Sequence, residues 1–288
     1  MKVEVKNLSL TYKDFDALKN LSFTLEDGKT YGLLGRNGAG KTSLLSLIAS
    51  FREPTEGKIL IDGEEPFENA KIMQQVSFIY EKNYKEETGT VKEMLQIAEY
   101  YRPNYDKEYA AYLIDRFNLP LKKPVYKLSK GMQSAMNVTI GLASRTPVTI
   151  FDEAYLGMDA PTRDIFYKEI LADQEKFPRV IILSTHLVSE MDYLFDEVLI
   201  LKNGELIVHE EYEDLISKGA SITGEATIVD EFTQGMKILN EQRLGNTKSV
   251  MVYEKLPEDR RNEAQRLGLD VGPISLQDLF IHLTGEVQ

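Results

Sequence analysis

The tightest constraint on this chain is the run Gly35-Arg36-Asn37-Gly38-Ala39-Gly40-Lys41-Thr42: a glycine, four residues, then glycine-lysine-threonine. It follows the apolar stretch Thr30-Tyr31-Gly32-Leu33-Leu34 and precedes Leu44, Leu45, Leu47 and Ile48 at helical spacing. Strand, glycine turn and helix in that order turn backbone N–H groups inward as a nest for phosphate oxygens, and the helix adds its positive N-terminal end. Lys41 is placed to reach the outer phosphates, and the Thr42 hydroxyl to ligate Mg²⁺. Ser43, next along, completes the set of expected phosphate-contacting residues.

A second element fits the first. Val148-Thr149-Ile150-Phe151-Asp152-Glu153 is an apolar strand that ends in two carboxylates. At the carboxyl edge of a parallel sheet, Asp152 is placed to hold Mg²⁺ and Glu153 to act as general base on an attacking water. Val180–Leu183 is another buried-type strand, and a helix from Thr162 to about Lys176 lies between them. Such apolar strands joined through helices belong to a parallel sheet covered on both faces. Residues 1–34 instead read as short alternating strands. Residues 85–145 switch to helical spacing, and seven of the fifteen tyrosines fall between Tyr80 and Tyr112. The expected fold is an α/β P-loop NTPase with a parallel core sheet, an N-terminal antiparallel β subdomain, a helical insert over about 82–145 and a small C-terminal α/β appendage. The expected boundaries are 1–215 for the nucleotide-binding domain and 216–288 for the appendage.

Composition removes several classes. The chain has no cysteine and three histidines, which excludes disulfides and thiolate or histidine-cluster metal sites. A net charge of −12 argues against nucleic acid as a partner and against direct binding to anionic lipid. No apolar run approaches the ~18–20 residues that cross a bilayer, so any membrane attachment is expected through a docked protein.

Leu128-Ser129-Lys130-Gly131-Met132-Gln133 precedes a helix upstream of the acidic strand, and Met158-Asp159 and Ser184-Thr185-His186 follow that strand. In this order, from the glycine loop to His186, the chain resembles the ATP-binding subunit of an ATP-binding cassette (ABC) transporter over residues 1 to about 215. The resemblance implies ATP and Mg²⁺ as cofactors and ATP hydrolysis coupled to transport. It implies a separate transmembrane permease, a homodimer or heterodimer of ATPase subunits, and a place at the cytoplasmic face of the membrane. By position, Tyr12 looks like the residue that stacks on adenine, and Gly35 to Thr42 like the phosphate loop. Ser129 and Gly131 look like the signature that contacts the γ-phosphate held by the opposite subunit. Asp152 and Glu153 look like the magnesium-site acid and the catalytic base, Asp159 like the link between the two active sites, and His186 like the switch histidine. His209 and His282 have no such context and are expected to be structural.

Three departures stand out. Glu81 occupies the place after strand Val76–Tyr80 where the family usually has glutamine, and its carboxylate can still engage Mg²⁺. Ser-Lys-Gly-Met replaces the commoner Ser-Gly-Gly-Gln, and Ala154-Tyr155 replaces Pro-Thr, a change expected to bear on packing more than on chemistry. Ile274–Phe280 resembles the tail of subunits that pair with small exporter-type permeases, which implies a bacterial exporter. The alternative is a soluble non-transport ABC ATPase of translation-factor or repair type. Translation factors usually carry two ATPase domains and basic linkers, and repair ATPases a long coiled coil. Here one domain is present, and about 87 residues lie between Lys41 and Ser129. The segment 81–125, rich in tyrosine, is the expected permease-docking face.

Overall fold

The computed structural model describes residues 1–285. Its elements run β1 (Lys2–Tyr12), β2 (Phe15–Glu26), β3 (Thr30–Gly35), α1 (Lys41–Ile48), β4 (Glu56–Ile61), α2 (Ala70–Met73), β5 (Val76–Tyr80), α3 (Val91–Tyr101), α4 (Lys107–Arg116) and α5 (Lys130–Ala143). They continue with β6 (Val148–Asp152), α6 (Ala160–Lys176), β7 (Val180–Thr185), α7 (Val188–Met191), β8 (Glu197–Lys202), β9 (Glu205–Glu211), α8 (Tyr212–Ser217), β10 (Ala220–Glu225), α9 (Ala226–Phe232), β11 (Ile238–Leu244), β12 (Thr247–Val252), α10 (Glu258–Arg266), β13 (Asp270–Gly272) and α11 (Leu276–Thr284). The chain divides into two compact units, one of residues 1–186 with 193–209, the other of 187–192 with the chain from 210 onward.

In the first unit a six-stranded sheet has the order β5-β6-β7-β3-β8-β9. β5 to β8 are mutually parallel, and every residue of β3, β6 and β7 is buried. That is the signature of strands covered on both faces, and it explains their unbroken apolar character. All the parallel strands end at the same edge, which brings Gly35, Asp152 and Thr185 together there. A three-stranded sheet β2-β1-β4 flanks it, with β1 antiparallel to both neighbours. β4 pairs with β1, far from it along the chain, and at its end Ile61 and Glu64 close a tight local turn around Asp62-Gly63. The helical insert is α3, α4 and α5. Thr90 and Glu93 close a reciprocal capping box at the start of α3, and Asp106 and Ser129 cap α4 and α5.

The second unit contains the sequence β10-α9-β11-β12-α10-β13 in one antiparallel sheet of order β11-β12-β10-β13. This is the split β-α-β arrangement of ferredoxin-like folds. One sheet face buries Ala220, Ile222, Val250 and Val252 against Val229, Phe232 and Ala264 of its two crossing helices.

Candidate nucleotide site

The glycine loop joins β3 to α1, and its shape comes from backbone freedom. Gly38 and Gly40 have φ of 83° and 106°, values that side-chain-bearing residues rarely adopt. A Cβ on Gly40 would also lie 2.7 Å from the Ala17 carbonyl oxygen, so the loop packs on β2 too closely for any other residue. Lys41 is buried, and its ammonium donates to the carbonyl oxygens of Gly35 at 2.6 Å and Arg36 at 3.5 Å. Burial holds its pKa below the ordinary lysine value, and the charges of Glu153 and Asp152 oppose that shift.

Asp152 stands at the end of β6. Its two carboxylate oxygens accept hydrogen bonds from Thr42 (2.8 Å) on α1 and Ser184 (2.6 Å) on β7. Glu153 follows in the left-handed region, with φ of 48°, a conformation that costs a non-glycine residue on the order of 1–3 kcal/mol. The turn brings the Glu153 carboxylate within 3.2 Å of His186 Nδ1. Tyr155 lies beneath, almost fully buried. Its hydroxyl is 2.9 Å from Thr185 Oγ1 and 3.3 Å from His186 Nδ1, and it accepts the His186 backbone N–H. Sequence reasoning assigns no site role to Ser184 and treats Tyr155 as packing. In the fold, both hold groups of the site in place.

The glycine loop, Thr42, Asp152 and Glu153 line one cleft of about 510 Å³ together with Ser43, Tyr12 and Glu81, whereas Ser184, Tyr155 and His186 lie outside its lining. The size suits a nucleotide-sized ligand. Tyr12 and Phe15 stand at its mouth as exposed aromatic rings, and the Arg52 guanidinium lies 4.9 Å from the Tyr12 ring centroid. Phe15, unremarked in the sequence, is available for base stacking beside Tyr12. The donor set also fits Mg²⁺: the Thr42 hydroxyl and the Asp152 carboxylate are adjacent hard oxygens, and this ion takes one or two protein ligands and fills its shell with phosphates and water.

Ser129, Gly131 and Asp159 lie outside that lining. Ser129 caps α5, and its hydroxyl accepts the Met132 N–H at 3.3 Å. Asp159 caps α6 by accepting the Thr162 N–H at 3.0 Å, and hydrogen bonding to Thr162 lowers its pKa. Gly131 packs on the turn before α6 so closely that a Cβ would collide with the Gly157 carbonyl oxygen, and Ser134 donates to Leu156 O at 2.6 Å. The signature turn and the turn before Asp159 therefore form one interlocked surface. His209 contacts Glu197 at 2.8 Å and the edge of Phe23, a packing role.

Residues 18–156 match the ABC transporter family. The chain is 31% identical over 210 residues to the ABC transporter ATP-binding protein NatA of Bacillus subtilis, covering 69% of this chain and 83% of that protein. It is also 31% identical over 278 residues to an uncharacterized ABC transporter ATP-binding protein of Nostoc sp., covering 92% and 82%. Among solved structures, an ATP-binding subunit of an ABC transporter superposes with a TM-score of 0.68 at 27% identity, covering 75% of this chain and 92% of the other.

Proposed function

This chain belongs to the ABC transporter family of ATP-binding proteins, and from that premise we propose how its cleft works. It is an ATPase subunit: it binds and hydrolyses ATP to power a transporter whose membrane-spanning permease is a separate subunit. Among the described residues no helix is long and apolar enough to cross a membrane, which is consistent with attachment through that permease at the cytoplasmic face. The transporter reading outranks a soluble translation or repair ATPase because the matched relatives are transporter subunits.

The observation that carries the mechanism is the convergence of Thr42, Asp152, Ser184, Glu153 and His186 at one sheet edge beside the glycine loop. The loop's N–H groups and Lys41 bind the phosphates, and charged phosphate oxygens are stronger acceptors for the Lys41 ammonium than the carbonyls it now contacts. Tyr12, with Phe15, stacks on the base. Thr42 and Asp152, with Glu81 on the same cleft wall, would hold Mg²⁺, which when bound neutralises charge on the outer phosphates. Ser184 fixes the orientation of Asp152. Glu153 accepts a proton from the attacking water, and His186, whose Nδ1 contacts the same carboxylate, serves as the switch that contacts the γ-phosphate. Ser129 and Gly131 lie outside the cleft and act on ATP held by a partner subunit, with Asp159 at the junction.

The permease-docking face is narrower than the segment 81–125. Tyr109 and Tyr112 each donate a hydrogen bond to buried Glu169, at 3.2 and 2.9 Å, although Tyr112 keeps 48% of its surface exposed. Tyr100 and Tyr101 are 82% and 68% exposed beside a groove lined by Phe78, Tyr80, Tyr84 and Ile97, and that groove is the better place for a partner helix.

Glu153→Gln tests the chemistry. It keeps size and removes basicity, so ATP affinity stays and phosphate release falls by about 10²–10⁴-fold. Wild-type phosphate release from the variant overturns the assignment of the base.

A further inference from the structure

Glu81 and Lys130, the two charged departures from the family pattern, lie 49 positions apart in sequence and meet in the fold, Lys130 Nζ to Glu81 Oε1 at 2.8 Å. Glu81 follows β5 and lines the cleft beside Asp152 and Glu153, whereas Lys130, the first residue of α5, lies outside the lining. Both side chains are solvent-exposed, 78% for the lysine and 53% for the glutamate, so the pair contributes little to stability. Its position matters more. Asp152, Glu153 and Glu81 set three carboxylates around a cleft in which Lys41 is the buried cation, and ATP brings further negative charge.

We propose that Lys130 is a positioning residue for nucleotide binding: it holds and neutralises Glu81, so that the cleft accepts a triphosphate despite the extra carboxylate. The inference rests on the reading that this cleft takes ATP. Lys130 acts through Glu81, because the carboxylate borders the phosphate loop's cleft and the ammonium does not. The same contact ties the signature turn to the nucleotide cleft of its own subunit, through a side chain that a glycine at position 130 could not supply.

The test is equilibrium binding of ATP to the full chain without Mg²⁺, so that metal ligation by Glu81 does not enter. Lys130→Gln weakens binding about two- to five-fold, the scale on which one solvent-screened charge acts. Lys130→Arg restores wild-type affinity. Made in a Glu81→Gln background, Lys130→Gln shifts the dissociation constant less than about two-fold. Raising the salt concentration closes the gap between Lys130→Gln and wild type, because exposed charges are screened. An equal loss in both backgrounds means that Lys130 meets the phosphates directly and overturns the proposal, as does no loss in either. A wild-type chain that binds no ATP overturns the nucleotide reading itself, a separate outcome from an absent coupling.

Discussion

Tyr155 illustrates how much a single side chain can decide at this site. Its hydroxyl connects Thr185 to His186 from a buried position, and the residue stands where the sequence suggests only a packing change. Tyr155→Phe keeps the ring and removes the oxygen. Losing a buried hydrogen-bonding partner costs about 1–2 kcal/mol. The His186 ring also loses its contact with that hydroxyl and keeps the one with Glu153. The variant is expected to melt at a lower temperature and to lose several-fold in kcat while KM for ATP changes little. Thermal melting and steady-state ATPase assays check the two parts separately, and unchanged kcat would show that His186 needs no support from below.

At the scale of elements, the interlock between the start of α5 and the turn before α6 has its own consequence. By resemblance, Gly131 belongs to the signature that contacts the γ-phosphate held by the opposite subunit. In the fold its lack of a side chain is already required within one subunit, by the Gly157 carbonyl, and Gly157 itself has φ of 79°. Gly131→Ala must push the two turns apart, an overpacking cost of about 1–3 kcal/mol. The expected result is a lower melting temperature in the absence of nucleotide, besides lost ATPase activity. Wild-type melting with lost activity would leave the partner's nucleotide as the whole reason for the glycine. Helix α6, expected from Thr162 to about Lys176, runs from Ala160 to Lys176, and its start is marked locally by the Asp159 cap and by Pro161 in the first turn. By contrast β10, α9 and β11 lie where Gly219, Gly224 and Gly235 punctuate the chain and leave only weak apolar patterning. In β10 the buried Ala220 and Ile222 do alternate with half-buried Ser221 and Thr223, whose hydroxyls lie beside Ser249 across the strands, but the alternation covers four residues before Gly224-Glu225 and is too short to stand out.

At the scale of the whole molecule, Ser129 and Gly131 lie outside the lining of the cleft, and on the proposed reading they complete the site of a partner subunit in a twofold, head-to-tail pair. ATP that contacts both subunits drives their association by linkage. Ser129→Arg blocks closure by bulk and charge, and Lys41→Ala removes a phosphate contact. Mixing the two nearly inactive variants places both lesions in one site and leaves the other intact. Partial recovery of ATPase activity is the expected outcome. If each site were built from a single chain, every site would carry a lesion and no activity would return.

The sequence alone determined the chemistry of this protein: glycine at positions 38 and 40, lysine and threonine after them, and an apolar strand ending in two carboxylates. Those are local requirements, set by backbone φ, by charge and by side-chain reach, and they are written in consecutive residues. Only the tertiary structure decided which of these groups meet. Parallel pairing of β3, β6 and β7 brings Thr42, Asp152 and Ser184 within hydrogen-bonding distance, although 110 residues separate Thr42 from Asp152 and 32 separate Asp152 from Ser184. The same folding joins Glu81 to Lys130, two substitutions that look unrelated along the chain. A contact between distant residues depends on strand order and helix placement, and those follow from how all the apolar faces are buried together rather than from any short run of residues.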